Sequence, residues 1–166
     1  MRTLGIDPGS RVTGIGIVEQ SGGRLRALHY TALRLGDGPF PERLGHLFRE
    51  VRAVAGSYGV DAAAVETVYV KRNVESALKL GQARGAAIAA LVDAGLPVGE
   101  YTPARIKEAV VGRGSAGKDQ VGYMVQHLLG LREAAPEDAA DALGVAVCHL
   151  HHLQAEARMA GGGRRP

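Results

Sequence analysis

The sequence predicts an α/β fold: a mixed five-stranded sheet flanked by helices. Two patterns carry that prediction. Three apolar segments joined by short turns open the chain, which is the signature of an antiparallel meander. The remainder alternates short apolar runs with stretches of helical period, which is the signature of crossover units and parallel strands. Composition adds a third observation. Aromatics make up only 4% of the 166 residues and 24 are glycine, so the core is aliphatic and alanine-rich, with backbones in close approach.

Taken in order, residues 3–7 (Thr-Leu-Gly-Ile-Asp) read as a buried strand stopped by Pro8-Gly9. Residues 12–19 form the second strand. Gly14 and Gly16 interrupt it, and glycines inside a strand mark a bulge or something passing close to the backbone. Ser21-Gly22-Gly23 is a turn, and residues 24–33 are the third strand. Leu44, Leu47, Phe48, Val51, Val54 and Ala55 recur at helical spacing over 42–56. Val60 to Glu66 is a buried strand that ends in a carboxylate, followed by a basic loop over 67–73. A long helix spans 74–94, with Gly81, Gly85 and Ala89 as a stripe of small residues. A fifth strand spans 97–101. Thr102-Pro103 then caps and opens a short helix. Further helices span 118–129 and 136–157, with the flexible run Gly112 to Gly117 before the first of them. One domain over 1–157 and a disordered basic tail over 158–166 complete the expected organisation.

A lone cysteine, Cys148, excludes an internal disulfide. No signal peptide or apolar run of membrane-spanning length is present, so a cytoplasmic location with no membrane partner is expected. The net charge is +3, and 16 of the 20 basic residues are arginine. The charge is concentrated: residues 67–118 hold eight basic side chains against four acidic ones. A basic centre with neutral flanks suits a polyanion-binding face.

Four acids stand where chemistry could use them. Asp7 and Glu66 end strands which right-handed crossover rules place side by side and parallel. Both then emerge at the carboxyl edge of the sheet, where ligand sites of open α/β sheets lie. Asp138 and Asp141 share a helix face at i, i+3. Acids in a first helical turn also complement the helix dipole, and Asp before Pro-Gly is a common turn former; Glu66 has no such structural excuse. Carboxylates converging on one point repel unless cations neutralise them. An all-oxygen set suits Mg²⁺ or Mn²⁺ rather than zinc. Beside a basic surface it suits metal-assisted phosphodiester hydrolysis by two ions. His149, His151 and His152 cannot share one helix face and read mostly as surface. His46 and His127 read as structural, and Cys148 as core. The run Gly112 to Lys118 lacks both the Ser/Thr and the preceding strand of a phosphate loop.

Several blocks then resemble one family. Gly5-Ile-Asp-Pro-Gly-Ser-Arg-Val-Thr-Gly14 resembles the opening motif of the RuvC family of Holliday-junction resolvases. So do Glu66, the block Asn73 to Gly85, the run Val110 to Lys118, and Asp138-Ala-Ala-Asp-Ala-Leu143. The resemblance implies a ribonuclease H-like fold, a homodimer, and Mg²⁺-dependent nicking of four-way DNA junctions in recombination and repair. It implies Asp7, Glu66, Asp138 and Asp141 as catalytic metal ligands for two Mg²⁺ ions per site, with Mn²⁺ able to substitute. It places Lys107 and Lys118 as catalytic basic residues near the cleaved strand. Tyr69 stands where the family often carries phenylalanine and is expected to stack on a base at the crossover. Lys71, Arg72, Asn73, Lys79, Arg84 and Arg113 are the remaining candidate DNA contacts. The RuvA and RuvB branch-migration proteins are the implied partners. The alternatives are a YqgF-type RNA-processing nuclease of the same fold, an actin-like ATPase, and a non-catalytic DNA-binding module. The Asn73 to Gly85 block argues against the first, the single domain against the second, and the full carboxylate set against the third.

Overall fold

The computed structural model describes residues 1–68 and 73–161. Its elements follow the expected order: β1 (Arg2–Asp7), β2 (Val12–Ser21), β3 (Arg24–Arg34), α1 (Phe40–Ser57), β4 (Ala62–Glu66), α2 (Val74–Asp93), β5 (Val98–Tyr101), α3 (Pro103–Val111), α4 (Lys118–Leu129) and α5 (Glu137–Gly161). The sheet order is β3-β2-β1-β4-β5. The first three strands form the antiparallel meander, while β4 runs parallel to both β1 and β5.

Strand alternation assigns the two faces. Leu4 and Ile6 of β1, Ile15 and Ile17 of β2, and Ala63 and Val65 of β4 pack on α1 and α2 through Leu47, Val51, Ala83, Ala87 and Leu91. Successive strand side chains point to opposite faces. Thr3, Gly5 and Asp7, with Ala62, Ala64 and Glu66, therefore belong to the other face. That face is covered by α5, with α3 and α4 packed outside it through Val110, Val121, Val125 and Leu129. From Ala142 to Leu150 all of α5 but Gly144 is fully buried hydrophobic or, at His149, buried polar. A helix sandwiched between a sheet and two further helices has no polar face to spare.

Glycines set the depth of that sandwich. A methyl group on Gly5 would overlap the Ala142 carbonyl oxygen, and one on Gly14 would overlap the Asp138 carbonyl oxygen. On Gly16 it would lie 2.8 Å from the Leu143 nitrogen. The interruptions in β1 and β2 are thus sites of close approach, and the register shift between β2 and β3 falls at Ile17/Val18 instead. Thr3 Oγ1, fully buried, donates to the Ala146 carbonyl at 3.0 Å and pins the same contact further along.

Two sequence expectations are corrected. Helix α5 continues to Gly161, past residue 157, because Glu156-Ala-Arg-Met-Ala160 are good helix formers; residues 162–166 lie outside the described residues. His149 is not surface but 5% exposed, with Nδ1 2.8 Å from the Tyr101 hydroxyl. It lies directly beneath Gly99, whose missing side chain leaves room for the imidazole. His151 and His152 are half-buried. No helix among the described residues is long and apolar enough to cross a membrane.

Candidate active site

Asp7 and Glu66 are the last residues of neighbouring parallel strands, one step beyond the paired Ile6 and Val65. They share a face by alternation and an edge by register. The loop after Asp7 is tied down locally: Thr13 Oγ1 accepts from the Gly9 amide at 3.2 Å and lies 3.0 Å from the Gly9 carbonyl, and Arg43 donates to the Ser10 carbonyl. Gly14 is paired with Asp7 across β1–β2 and lies against the backbone of Asp138. The first turns of α5 are therefore seated at the edge where Asp7 emerges.

Asp7, Glu66 and Asp141 line one cavity of about 310 Å³ with Lys107, Lys118, Pro103, Ile106 and Val121. Asp138 stands one turn before Asp141 and is close enough for its charge to act on both Asp7 and Asp141. Burial pushes the Asp7 carboxyl up to about 8, and the charges of Glu66, Asp141 and Asp138 push the same way. Burial and then Asp141 raise Glu66 to about 7, against the opposing pull of Lys118 and Lys107. Asp141 is raised chiefly by burial. Burial and mutual repulsion thus disfavour the charged forms of these carboxyls, a cost that a bound cation would offset.

The donor set is hard oxygen only, which fits Mg²⁺ or Mn²⁺. Among the described residues no three His, Cys, Asp or Glu side chains gather tightly enough to cage an ion alone.

Lys118 opens α4 after its N-cap Gly117. Its ammonium lies 2.6 Å from Glu137 Oε1 and 3.6 Å from Asp141 Oδ2, and the Glu137 hydrogen bond is the main cause of its raised pKa. Glu137 is a site residue that sequence reading missed; its only signal was adjacency to Asp138. A second cavity, about 660 Å³, shares Asp7, Glu66 and Lys118 with the first. It extends past Pro8 and Thr67 to Asn73, Ser76, Ala77 and Leu80 of α2. The two together make a groove that passes over the carboxylates.

Residues 3–149 match the family described as Crossover junction endodeoxyribonuclease RuvC. The chain belongs to the RuvC family. A RuvC from Alkalilimnicola ehrlichii is 57% identical over 158 residues, covering 95% of this chain and 96% of that one. Thermus thermophilus RuvC in complex with Holliday junction substrate superposes with a TM-score of 0.88 at 37% identity, covering 94% of this chain and 96% of that one. A yeast mitochondrial Holliday junction resolvase, 13% identical with a TM-score of 0.65 and covering 95% of this chain and 83% of that one, shares the fold. The ribonuclease H-like architecture expected from the sequence is thus the architecture of the RuvC relatives.

The other candidate contacts of this RuvC family member are distributed unevenly. Asn73 lines the groove and also caps α2, accepting from the Ser76 amide at 3.1 Å. Lys79 is paired with Glu75 at 2.6 Å along the exposed face of α2. Arg113 is exposed in the α3–α4 connection. Arg84, expected to meet DNA, is half-buried and sets its guanidinium on the Glu66 carbonyl and the exposed Glu100 carboxylate. Tyr69, Lys71 and Arg72 lie outside the described residues.

Proposed function

We propose that this chain is an endodeoxyribonuclease that resolves four-way (Holliday) DNA junctions by paired nicks, in DNA recombination and repair. One observation carries the reading: the half-buried carboxylates Asp7, Glu66 and Asp141, with Asp138 beside them, share a groove with Lys107 and Lys118 in a chain that matches RuvC over residues 3–149. Asp7, Glu66, Asp138 and Asp141 would hold the divalent cations, Mg²⁺ or in its place Mn²⁺, two per site. Bound there, the metal supplies neutralisation of phosphate charge and an activated water.

The protein's own groups do the rest. Burial keeps the carboxylates in a low-dielectric pocket where cation and phosphate charges interact strongly. Lys107 and Lys118 draw a phosphate toward the carboxylates, which alone would repel it. The Lys118–Glu137 pair is exposed on both sides, so it is weak and readily exchanged for a phosphate. The amides at the start of α4 add their dipole to the same anion.

Two symmetric nicks need two sites, which a two-fold dimer supplies. Helix α2 offers the face. Val74 and Leu78 are 68% and 63% exposed, and Gly81 and Gly85 have open space where side chains would be. The small-residue stripe thus points away from the sheet, and we assign it to the homodimer contact. Tyr69 stacks on a base at the crossover, and RuvA and RuvB are the partners, in the cytoplasm.

The test is a nicking panel. Synthetic four-way junction, linear duplex and RNA–DNA hybrid are offered with Mg²⁺, and products are mapped on opposing strands. Selective, symmetric junction cutting is expected. Equal cutting of the hybrid would overturn the reading. Sedimentation of Leu78→Glu, expected to be monomeric, checks the dimer face.

A further inference from the structure

Arg84 sits on α2, nearly three turns past the exposed start of that helix, yet its side chain is only 19% exposed. Its Nε–H donates to the carbonyl oxygen of Glu66 at 3.0 Å. Its Nη2 pairs with Glu100, the residue before the last of β5. The carbonyl it holds belongs to the peptide that joins Glu66 to Thr67. The N–H of that same peptide donates to the Tyr101 carbonyl at 2.8 Å. Both ends of the peptide are therefore fixed, one by the β5 backbone and one by Arg84. A peptide is planar, so fixing both polar ends fixes its plane. That plane sets ψ of Glu66 and hence the direction in which its side chain leaves the strand.

Glu66 needs this because it is the terminal residue of β4 and its pairing with β1 has already ended at Val65. Arginine suits the task because its planar fork can hold a carbonyl and a carboxylate at once. Glu100 neutralises its charge, so the guanidinium braces the backbone without simply pairing with the catalytic carboxylate.

We propose that Arg84 is a positioning residue for Glu66 and makes no contact with DNA: it clamps the Glu66–Thr67 peptide between α2 and β5 and so aims the Glu66 carboxylate into the metal-binding cavity. The inference rests on the reading of Glu66 as a site carboxylate. It also ties α2, the helix assigned to the dimer contact, to one side of the active site through a single side chain.

The experiment uses the full chain as Arg84→Lys, Arg84→Gln and Glu66→Gln, each checked for a cooperative thermal transition. Arg84→Lys keeps the charge but loses the fork. Three quantities are read: single-turnover cleavage at saturating junction in Mg²⁺, Mn²⁺ affinity without DNA by electron paramagnetic resonance, and junction affinity without metal as a function of salt. Both Arg84 variants are expected to cut at least about tenfold more slowly, the scale of a small misplacement of a reacting group. Both are expected to bind Mn²⁺ severalfold more weakly, with junction affinity and its salt slope unchanged. If Arg84→Gln weakens junction binding and lowers the salt slope by about one while Arg84→Lys restores both, Arg84 is a phosphate contact and the proposal fails. Wild-type Mn²⁺ affinity in both Arg84 variants also overturns it. Full cleavage by Glu66→Gln is a different failure: it removes the catalytic reading of Glu66 and the clamp's purpose with it.

Discussion

Gly14→Ala separates the depth at which α5 is seated from every other feature of the site. The new methyl would overlap the Asp138 carbonyl oxygen and lie 3.2 Å from the Ala142 methyl. Neither obstacle can rotate away, since one is helix backbone and the other has no rotamer. Gly14 itself is held by pairing with Asp7 on one side and Ala32 on the other. The start of α5 must therefore lift. Overpacking of this kind costs about 1–3 kcal/mol, and each kcal/mol lowers Tm by roughly 2–4 °C in a domain of this size. The catalytic effect is larger than the thermal one. Asp138 and Asp141 ride on the turn that lifts while Asp7 stays with the sheet, and a misplacement of about 1 Å can cost ~10²-fold in rate. Gly56→Ala is the control: it lies in α1 with nothing near the added methyl, and alanine there stabilises by roughly 0.5–1 kcal/mol. The assay pairs calorimetry with single-turnover cleavage at saturating junction. Expected for Gly14→Ala are a Tm lower by several degrees, a rate down by one to two orders of magnitude, and junction binding retained. A wild-type rate in Gly14→Ala would refute the claim that this contact sets the carboxylate geometry.

Three further outcomes are expected. Asp7→Asn keeps the shape of the site but removes a charge that holds the metal, so cleavage in Mg²⁺ collapses while gel-shift affinity for the junction persists or improves. Lys118→Ala slows single-turnover cutting at saturating junction at least tenfold, about 1.4 kcal/mol, with junction affinity little changed; recovery of the full rate at higher protein concentration would make it only a binding residue. His149 is held neutral by burial and, secondarily, by His152, its pKa lowered to about 4. The unfolded chain takes that proton near pH 6.5, so this contribution is intact above pH 6.5 and is lost as pH falls toward 4. Urea titrations should show wild type losing up to about 3 kcal/mol over that interval relative to His149→Gln; parallel pH profiles for the two would show that His149 takes up its proton as readily in the fold as in the unfolded chain.

What the sequence made legible, and what it hid, divides by the range of the interaction. Strand and helix order followed from punctuation by Gly and Pro and from periodicity, both local. The meeting of Asp7 and Glu66 was also legible, because crossover handedness made their strands neighbours and both acids stand last in a strand. The two strand glycines announced that something lay close to the backbone but not what; only the packed structure shows it to be the Asp138 turn. His149 misled because three histidines that cannot share one helix face were read together as surface. The centre of the last helix is buried on every side, so spacing carried no information there. The intramolecular partners of Arg84 were hidden for a related reason. Its partners, Glu66 and Glu100, are 18 and 16 residues away on two different strands, and an arginine in a basic block has the same local sequence whether it faces phosphate or backbone. Topology decides between those fates. Parallel pairing of β4 with β5 places Glu100 next to the Glu66 peptide, and α2, which connects the two strands, carries Arg84 to both. An arginine at position 84 thus finds a carbonyl and a carboxylate within one fork's span, and the same connection that sets Glu66 beside Asp7 gives this basic residue partners within the fold.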